Sequence, residues 1–197
     1  MTPQVGLVTV EALRGYAEGV RAVYAEAFSA PPWHEDPEAA DGYLERLAQD
    51  AARPGFTAAV ALDGEAVTGF ATAWTTPEVF PRDRSYGQVA EALGPDRATA
   101  LLCGALEVDE LAVSPRAHGT GLGRALLAAV TGPAVDGRCW LLTSARAKAA
   151  LRLYERAGWH RHATPVPGRA GLVVFLGPRH PGLPAADPTA DPEAAAV

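Results

Sequence analysis

The sequence predicts a mixed α/β fold, in which one sheet contains parallel and antiparallel strands and helices pack on its faces. Three observations predict it. Apolar strands alternate with amphipathic helices in the second half of the chain, a β-hairpin stands in the first half, and 48% of the 197 residues are hydrophobic. A chain of this length buries a substantial core, so we expect one globular domain.

The first half of the chain contains helix patterns followed by the hairpin. Asp63-Gly64 is a strong hairpin sequence, because a two-residue turn between strands requires positive φ angles. In chain order, the pattern predicts a strand over Val5 to Val10, a helix over Arg14 to Phe28, a break over Ser29 to Asp36, a second helix that starts after Asp36 and ends by Pro54, and strands over Phe56 to Leu62 and Ala66 to Trp74.

Thr75 to Gly104 is predicted to be a loop-like insertion. Prolines at positions 77, 81 and 95 interrupt it, and only Gln88 to Leu93 has a helical pattern. The elements predicted after it are a strand over Ala105 to Val113, a helix over Gly119 to Val130, a strand over Arg138 to Thr143, a helix capped by Ser144 that ends at Gly158, and strands over Trp159 to Ala163 and Gly171 to Leu176 around a turn at Pro165 to Gly168. Residues 178–197 are rich in Pro, Ala and Asp and are predicted to be a disordered tail, which leaves residues 1–177 as a single domain.

Charge and cysteine content exclude several functional classes. The formal net charge of −6 argues against the broad basic surface that nucleic-acid binding requires. No apolar run is long enough to span a membrane, and the first residues form neither a basic segment nor an apolar leader, so a cytoplasmic protein that does not bind membranes is expected. Cys103 and Cys139 lack metal-ligand spacing, and His160 and His162 lack a third ligand, so no metal is expected.

The most informative segment is a strand, a glycine-rich loop and a helix between Leu106 and Leu127. Glycines at 119, 121 and 123 allow close backbone approach, and the amides at the start of the following helix favour an anion such as phosphate. The segment lacks the Gly-Lys-Ser/Thr of a Walker loop, and its glycine spacing differs from that of a Rossmann fingerprint. A glycine turn that binds no ligand is the alternative interpretation.

Two spaced motifs resemble the GNAT superfamily of bacterial and other N-acetyltransferases. Arg116-x-x-Gly119-x-Gly121 is similar to its acetyl-CoA-binding pattern Arg/Gln-x-x-Gly-x-Gly/Ala, and Tyr154 followed by Gly158-Trp159 is similar to its late helix and the strand after it. Ala147 departs from the pattern, because many members carry there an Asn that contacts the cofactor. The resemblance implies a GNAT fold, in which two central strands splay apart and the gap receives the pantetheine arm of acetyl-CoA.

The resemblance also assigns roles to residues. Backbone groups of the central strand are expected to pair with the pantetheine arm, and the loop with the helix start is expected to bind the phosphates. The expected cofactor-binding residues are Leu111, Ala112, Val113, Arg116, His118, Gly119, Thr120, Gly121, Leu122, Gly123 and Arg124.

Acetyl transfer to an amine requires a proton acceptor for the amine and a proton donor for the departing thiolate. Strand alternation places Glu107 and Asp109 on one face, and the resemblance favours Glu107 as the base, although these residues and Glu110 could also be solvated strand acids. Tyr154 is the expected acid, because a phenol with a pKa of about 10 stays neutral at pH 7, although it could equally be a core aromatic.

The acceptor is expected to lie between the Ser29 to Asp36 break and the Thr75 to Gly104 insertion. Trp33 would form an aromatic wall, and Glu35, Asp36, Glu78 and Asp109 would supply negative charge that suits a cationic amine. Trp33 could instead only anchor the second helix. The expected activity is direct acetyl transfer to a primary amine of a small molecule or peptide. A non-catalytic acyl-CoA-binding regulatory module is the alternative, and the oligomeric state is left open between a monomer and a homodimer.

Overall fold

The computed structural model describes residues 4–162 and 171–183, which form one seven-stranded sheet with helices on both faces. The strands are β1 (Gln4–Val8), β2 (Thr57–Asp63), β3 (Ala66–Thr75), β4 (Leu106–Val113), β5 (Cys139–Ser144), β6 (His160–Arg161) and β7 (Leu172–Leu176). The helices are α1 (Val10–Gly15), α2 (Ala17–Phe28), α3 (Ala39–Asp50), α4 (Tyr86–Leu93), α5 (Pro95–Leu102), α6 (Leu122–Thr131) and α7 (Lys148–Arg156). The predicted mixed α/β fold is confirmed.

The sheet order is β1-β2-β3-β4-β5-β7-β6, and only the central β4–β5 pair is parallel. Antiparallel hairpins build the first half, whereas β4 reaches β5 through α6, because parallel neighbours need a crossover connection. The only parallel pair in the described sheet is therefore at its middle.

Alternating side chains of the strands form cores on both faces of the sheet. Ala58, Val60, Phe70 and Ala112 pack with α1, α2 and α3 on one face, and α4 and α5 pack beside them on Trp140 and Val174. On the opposite face, α6 and α7 cover the remaining buried positions of the same strands. The sheet is thus buried on both sides in its centre.

The two central strands separate after a short contact. β4 and β5 pair from Leu106 opposite Cys139 to Val108 opposite Leu141, and among the described strands no partner continues this ladder. β4 nevertheless keeps pairing with β3 as far as Val113 opposite Gly69. From residue 109 onwards, the edge of β4 that faces β5 is open, as the predicted splay requires.

A β-bulge interrupts β4 where the splay begins. Thr72 of β3 pairs with Glu110 and Ala73 pairs with Val108, so Asp109 has no partner on β3. A bulge inserts one residue and re-aims the side chains that follow it. Glu107 and Glu110, three positions apart, therefore lie on the same face, which simple alternation from Glu107 does not predict.

Several predicted bounds differ from the structure. The first strand ends at Val8 and α1 begins at Val10, while the predicted helix over Arg14 to Phe28 is interrupted at Tyr16. The insertion contains a second helix, α5, because Pro95 occupies the first turn, where a missing amide costs nothing. Ser144 accepts from the amide of Arg146, so it stabilises the turn before α7, whose N-cap is Ala147. Ala163 and the predicted Pro165 to Gly168 turn lie outside the described residues.

The start of the predicted tail packs against the domain. His180 is buried, its Nε2 lies 3.0 Å from the carbonyl oxygen of Leu101, and its Nδ1 accepts from the amide of Gly182 at 3.0 Å. The described residues 178–183 therefore contact α5 through His180, although they belong to the segment predicted to be a tail. Residues 184–197 lie outside the described part. In the described ranges, no helix has the length and apolarity that crossing a membrane requires.

Candidate functional site: a cleft at the strand splay

A cleft of about 240 Å³ opens where β4 and β5 separate. Its floor comes from the two strands, and its walls come from α2, the loop after it and the insertion between β3 and β4. The lining residues are Tyr24, Phe28, Trp33, Glu35, Arg84, Ser85, Tyr86, Glu107, Val108, Asp109, Glu110, Trp140, Leu142, Thr143, Ser144 and Leu172. The break after the first helix and the insertion therefore meet at this cleft, as the sequence predicts.

Glu107 lies at the inner end of the cleft and is buried. The hydroxyl of Tyr86 donates to its Oε2 at 2.6 Å. Burial raises the pKa of Glu107 to about 8, although the Tyr86 hydrogen bond acts in the opposite direction. A carboxylate with this pKa is a stronger base than an exposed glutamate and is suited to proton transfer near neutral pH.

Asp109 and Glu110 extend the acidic floor of the cleft. Burial raises the pKa of Asp109 to about 6, while the nearby Arg84 guanidinium lowers it. Burial also raises the pKa of Glu110 well above its usual range, and the charges of Asp109 and Glu35 raise it further. A cation in the cleft would therefore stabilise the ionised form of each acid, because its charge offsets the cost of burial and the repulsion between the acids.

Arg84 connects the insertion to the floor of the cleft. Its guanidinium donates to both carboxylate oxygens of buried Asp50, at 2.9 and 2.7 Å, and lies 3.5 Å from Asp109 Oδ1. It also lies 5.4 Å from the ring centre of Trp74, which Arg53 approaches at 4.7 Å. Arg84 is thus held by ion pairing and ring stacking, and it positions the loop before α4.

The outer end of the cleft is aromatic and acidic. Trp33 is 37% exposed and packs edge-on against Phe28 at 5.6 Å. Glu35 accepts a hydrogen bond from Tyr24 at 2.9 Å. Trp33 therefore both lines the cleft and contacts the helix that precedes it. Asp36 is not part of the lining and instead accepts from the amide of Glu38 before α3, and Glu78 is exposed outside the cleft.

The glycine loop leads into the start of α6. Gly121 has a φ of +84° as the N-cap residue, and Gly119 has a φ of +77°. A Cβ at either position would meet no atom within 4 Å, so the surface above this backbone is open. The first amides of α6 have no intrahelical acceptor, and in the described chain Ala125 is the first that donates along the helix, to Gly121. The loop is therefore suited to an anion.

Gly123 has a different role from the two glycines before it. A Cβ there would lie 3.2 Å from Leu153 Cδ2 and 3.7 Å from Val113 Cγ2, so Gly123 allows α6 to approach α7 and β4 closely. Leu122 is buried beneath the helix, whereas Arg124 is exposed. Thr120 is exposed and its hydroxyl donates to the carbonyl oxygen of Ala117.

Backbone alternation along β4 determines which of its amide groups point to the open edge. The amide of Ser114 donates to Thr68 on the β3 side, so the amides of Leu111 and Val113 point to the opposite, open side. Ala112 differs from expectation, because its backbone points towards Phe70 of β3 and its side chain is buried. His118 Nε2 lies 3.1 Å from the carbonyl oxygen of Val113, so this side chain reaches back to the open edge.

Glu26 of α2 contacts both sides of the entrance to the glycine loop. Ser114 donates to its Oε2 at 2.6 Å, and Arg116 Nη2 lies 3.4 Å from its Oε1. The Arg116 side chain is 88% exposed, so this ion pair leaves the guanidinium accessible. Sequence patterns do not indicate Glu26, because it lies 90 positions before Arg116 and on another element.

Tyr154 is in the core between α7 and the sheet. Its ring centre lies 5.5 Å from Phe175 and 6.3 Å from Trp159. Burial raises the pKa of Tyr154, and the charge of Glu110 raises it further. The phenol therefore keeps its proton, and its side chain lies within electrostatic reach of the acidic floor across the splay. Ala147, which stands where many members of the similar superfamily carry an Asn, is buried before α7.

The cleft residues that the sequence does not indicate include Tyr86, Arg84 and Glu110. Tyr86 and Arg84 lie in the predicted insertion, where proline spacing concealed the first turn of α4. Glu110 can be placed on the cleft face only when the bulge at Asp109 is known. In the described chain, no group of three or more His, Cys, Asp or Glu side chains is arranged to hold a metal ion.

Comparisons with known proteins agree with this geometry. Residues 18–159 match the family model described as "Acetyltransferase (GNAT) family". The fold is similar to that of histone acetyltransferase HPA2 and related acetyltransferase from Corynebacterium glutamicum, with a TM-score of 0.60, 21% identity and coverage of 94% of this chain and 99% of that one. The sequence has no significant match among curated proteins.

Two further solved structures share the fold. The PaiA N-acetyltransferase from Thermoplasma acidophilum, in complex with coenzyme A, has a TM-score of 0.56, 12% identity and coverage of 90% of this chain and 99% of that one. The ribosomal-protein-alanine N-acetyltransferase from Brucella melitensis has a TM-score of 0.56, 19% identity and coverage of 88% and 98%, respectively.

Proposed function

Because the chain belongs to the GNAT family of acetyltransferases, we propose that it transfers the acetyl group of acetyl-CoA directly to a primary amine of a small molecule or peptide. One observation carries this proposal: an open strand edge beside a helix N-terminus meets, at the same splay, a cleft floored by buried carboxylates. The first feature suits the cofactor, and the second suits the amine.

The residues at the splay fit coenzyme A. The amides of Leu111 and Val113 point to the open edge and can pair with an extended amide-containing arm as a neighbouring strand would. The positive-φ backbone at Gly119 and Gly121, with no atom within 4 Å of an added Cβ, leaves room for phosphate oxygens at the start of α6. Arg116, Thr120 and Arg124 are exposed around this loop, and His118 reaches the edge between the two regions.

Glu107 is the proposed general base. Acetyl-CoA, when bound, supplies the acetyl group as a reactive thioester. An alkylammonium is unreactive until it loses a proton, and the ionised Oε atoms of Glu107 can accept that proton directly or through water. Tyr86 orients the carboxylate by donating to Oε2. Asp109 remains the alternative base, since it lines the same cleft with a pKa raised to about 6.

Tyr154 is the proposed general acid. Burial and the negative charge of Glu110 raise its pKa, so its Oη keeps a proton at neutral pH. That proton can be donated to the sulfur on the side of the splay that α7 covers. Base and acid then belong to opposite faces of the gap, which suits direct transfer without an acetylated enzyme residue.

A thiol-release assay with acetyl-CoA and a panel of primary amines tests this function. We expect amine-dependent release in the wild type, and in Tyr154→Phe a turnover lower by about 10- to 10⁴-fold with coenzyme A affinity little changed. The alternative, a non-catalytic acyl-CoA-binding module, predicts coenzyme A binding by calorimetry with no amine-dependent thiol release. Wild-type turnover in both Tyr154→Phe and Glu107→Gln would contradict the acid–base assignment.

A further inference from the structure

We propose that the acceptor carries a second cationic group, so that this cleft selects a small diamine or polyamine over a monoamine. The inference rests on the proposed function, because it concerns the acceptor end of the same site. It assigns the reacting nitrogen to Glu107 at the inner end and the second cation to Glu35 at the outer end.

The charges around the cleft support a dication. In the described part of the chain, five carboxyl groups and three guanidinium groups interact at its floor and rim, so two carboxyl groups have no guanidinium counterpart and a bound cation would favour their ionised form. The acids are Glu35, Asp50, Glu107, Asp109 and Glu110, and the cations are Arg46, Arg53 and Arg84. The phenols of Tyr24, Tyr43, Tyr86 and Tyr154 face the same groups and stay neutral, because burial raises the pKa of each.

The arginines are also committed to the protein. Arg84 holds both oxygens of Asp50, and Arg53 contacts Oδ1 of the same residue. Arg46 is exposed on α3 and lies 5.7 Å from the Tyr43 ring centre. Glu35 and Glu107 instead have only tyrosine hydroxyls as hydrogen-bond donors among the described side chains. Glu110 also lines the cleft without a guanidinium hydrogen bond in the described chain. Of these acids, Glu107 is buried, whereas Glu35 is half-buried near the exposed Trp33, so we assign one ammonium group to each of these two.

Aromatic rings form a second, independent feature of a cation site. Tyr24 donates to Glu35 and contacts Phe28, which packs against Trp33. Tyr86 donates to Glu107, whose partner on β5 is Trp140. Ring faces attract ammonium groups, most strongly where water is excluded. Each end of the cleft thus combines one carboxylate with aromatic rings, which is a repeated arrangement suited to two ammonium groups joined by an apolar linker.

Matched amines test the inference. Linear α,ω-diamines and n-alkylamines of equal chain length are compared by kcat/KM at saturating acetyl-CoA. We expect at least about a tenfold preference for the best diamine. Glu35→Gln should raise the KM of that diamine by about tenfold, with the KM values of the matched monoamine and of acetyl-CoA unchanged. Glu78→Gln, an exposed carboxylate of the insertion outside the cleft, is the matched control and should leave all three constants unchanged.

A binding measurement separates this inference from the proposed function. Calorimetry of the wild-type protein with the diamine, in two buffers of different ionisation enthalpy at pH 6.5, should show proton release on binding, because a dication stabilises the ionised carboxylates. Equal kcat/KM for diamines and monoamines would overturn the inference and leave acetyl transfer intact. Absent thiol release with tight diamine binding would overturn acetyl transfer alone, and absent diamine binding would overturn the inference.

Discussion

As the proposed general base, Glu107 is expected to determine how the activity depends on pH. Its pKa of about 8 means that the ionised, proton-accepting form increases as the pH rises through 8. We expect kcat of the wild type to rise roughly tenfold per pH unit below that value and to level off above it. Glu107→Gln should lose about 10²- to 10⁴-fold in kcat at pH 8 and lose this rise. If the kcat–pH profile of the variant keeps the same inflection, that inflection belongs to another group, and Asp109 is the first candidate.

Glu107 also links stability to pH, but the stability of the fold falls as the pH rises, whereas the activity is expected to rise. Glu107 has an ordinary pKa of 4.5 when unfolded and about 8 when folded, so between these values the folded state binds more protons. Its contribution to stability is present below pH 4.5 and is lost as the pH rises through 8. Thermal unfolding should therefore show a Tm difference between Glu107→Gln and the wild type that grows in favour of the variant from pH 5 to pH 8. A difference independent of pH would contradict the buried, proton-binding state.

Glu26 provides a residue-scale test of the glycine loop. Glu26→Gln keeps an oxygen that accepts from Ser114 but removes the charge beside Arg116. We expect coenzyme A to bind a few-fold more tightly to this variant, since an exposed pair of this kind is weak and its loss frees the guanidinium. Pantetheine, which has no phosphates, is the control ligand and should bind equally to both proteins. Equal calorimetric affinities for coenzyme A would exclude an effect of Glu26 on the phosphates.

At the scale of elements, the glycines before and within α6 differ in their function. Gly121→Ala should lower the free energy of unfolding by about 1 kcal/mol, because a φ of +84° disfavours any residue with a Cβ. Gly121→Asn should lower it less, since Asn tolerates this region. Gly123→Ala has ordinary helical geometry and requires only a small shift of the flexible Leu153, so we expect a smaller change. Urea titrations of the three variants provide the comparison.

Sequence patterns predict an element correctly where residues close together in the chain determine its conformation. Asp63-Gly64 identified the β2–β3 hairpin, and the glycine loop identified the passage from β4 to α6. The bulge at Asp109 is different, because it depends on how β3 and β4 align, and alternation along one strand cannot reveal it. For this reason the sequence indicates Glu107 as a site residue but not Glu110. Pro95 resembles a chain break in the sequence, although proline also starts helices, as it does in α5.

At the scale of the whole molecule, the segment that follows residue 177 contacts the domain through His180. Removing residues 178–197 should destabilise the protein by about 1–3 kcal/mol relative to removing residues 184–197, because only the longer deletion removes the His180 contacts with Leu101 and Gly182. Chemical denaturation of the two shortened proteins measures the difference. Equal stabilities would show that the packed segment contributes nothing and would support the predicted boundary at 177.

The β-bulge has an evolutionary consequence. Leu106 and Val108 lie in the core under α6, and so do Leu111 and Val113. Because Asp109 alone has no partner on β3, deleting its codon would leave strict alternation, with each neighbouring side chain still on its present face. Most single-codon deletions in a strand invert every side chain beyond them. A lineage can therefore gain or lose this one carboxylate in a single mutational step without turning the strand inside out.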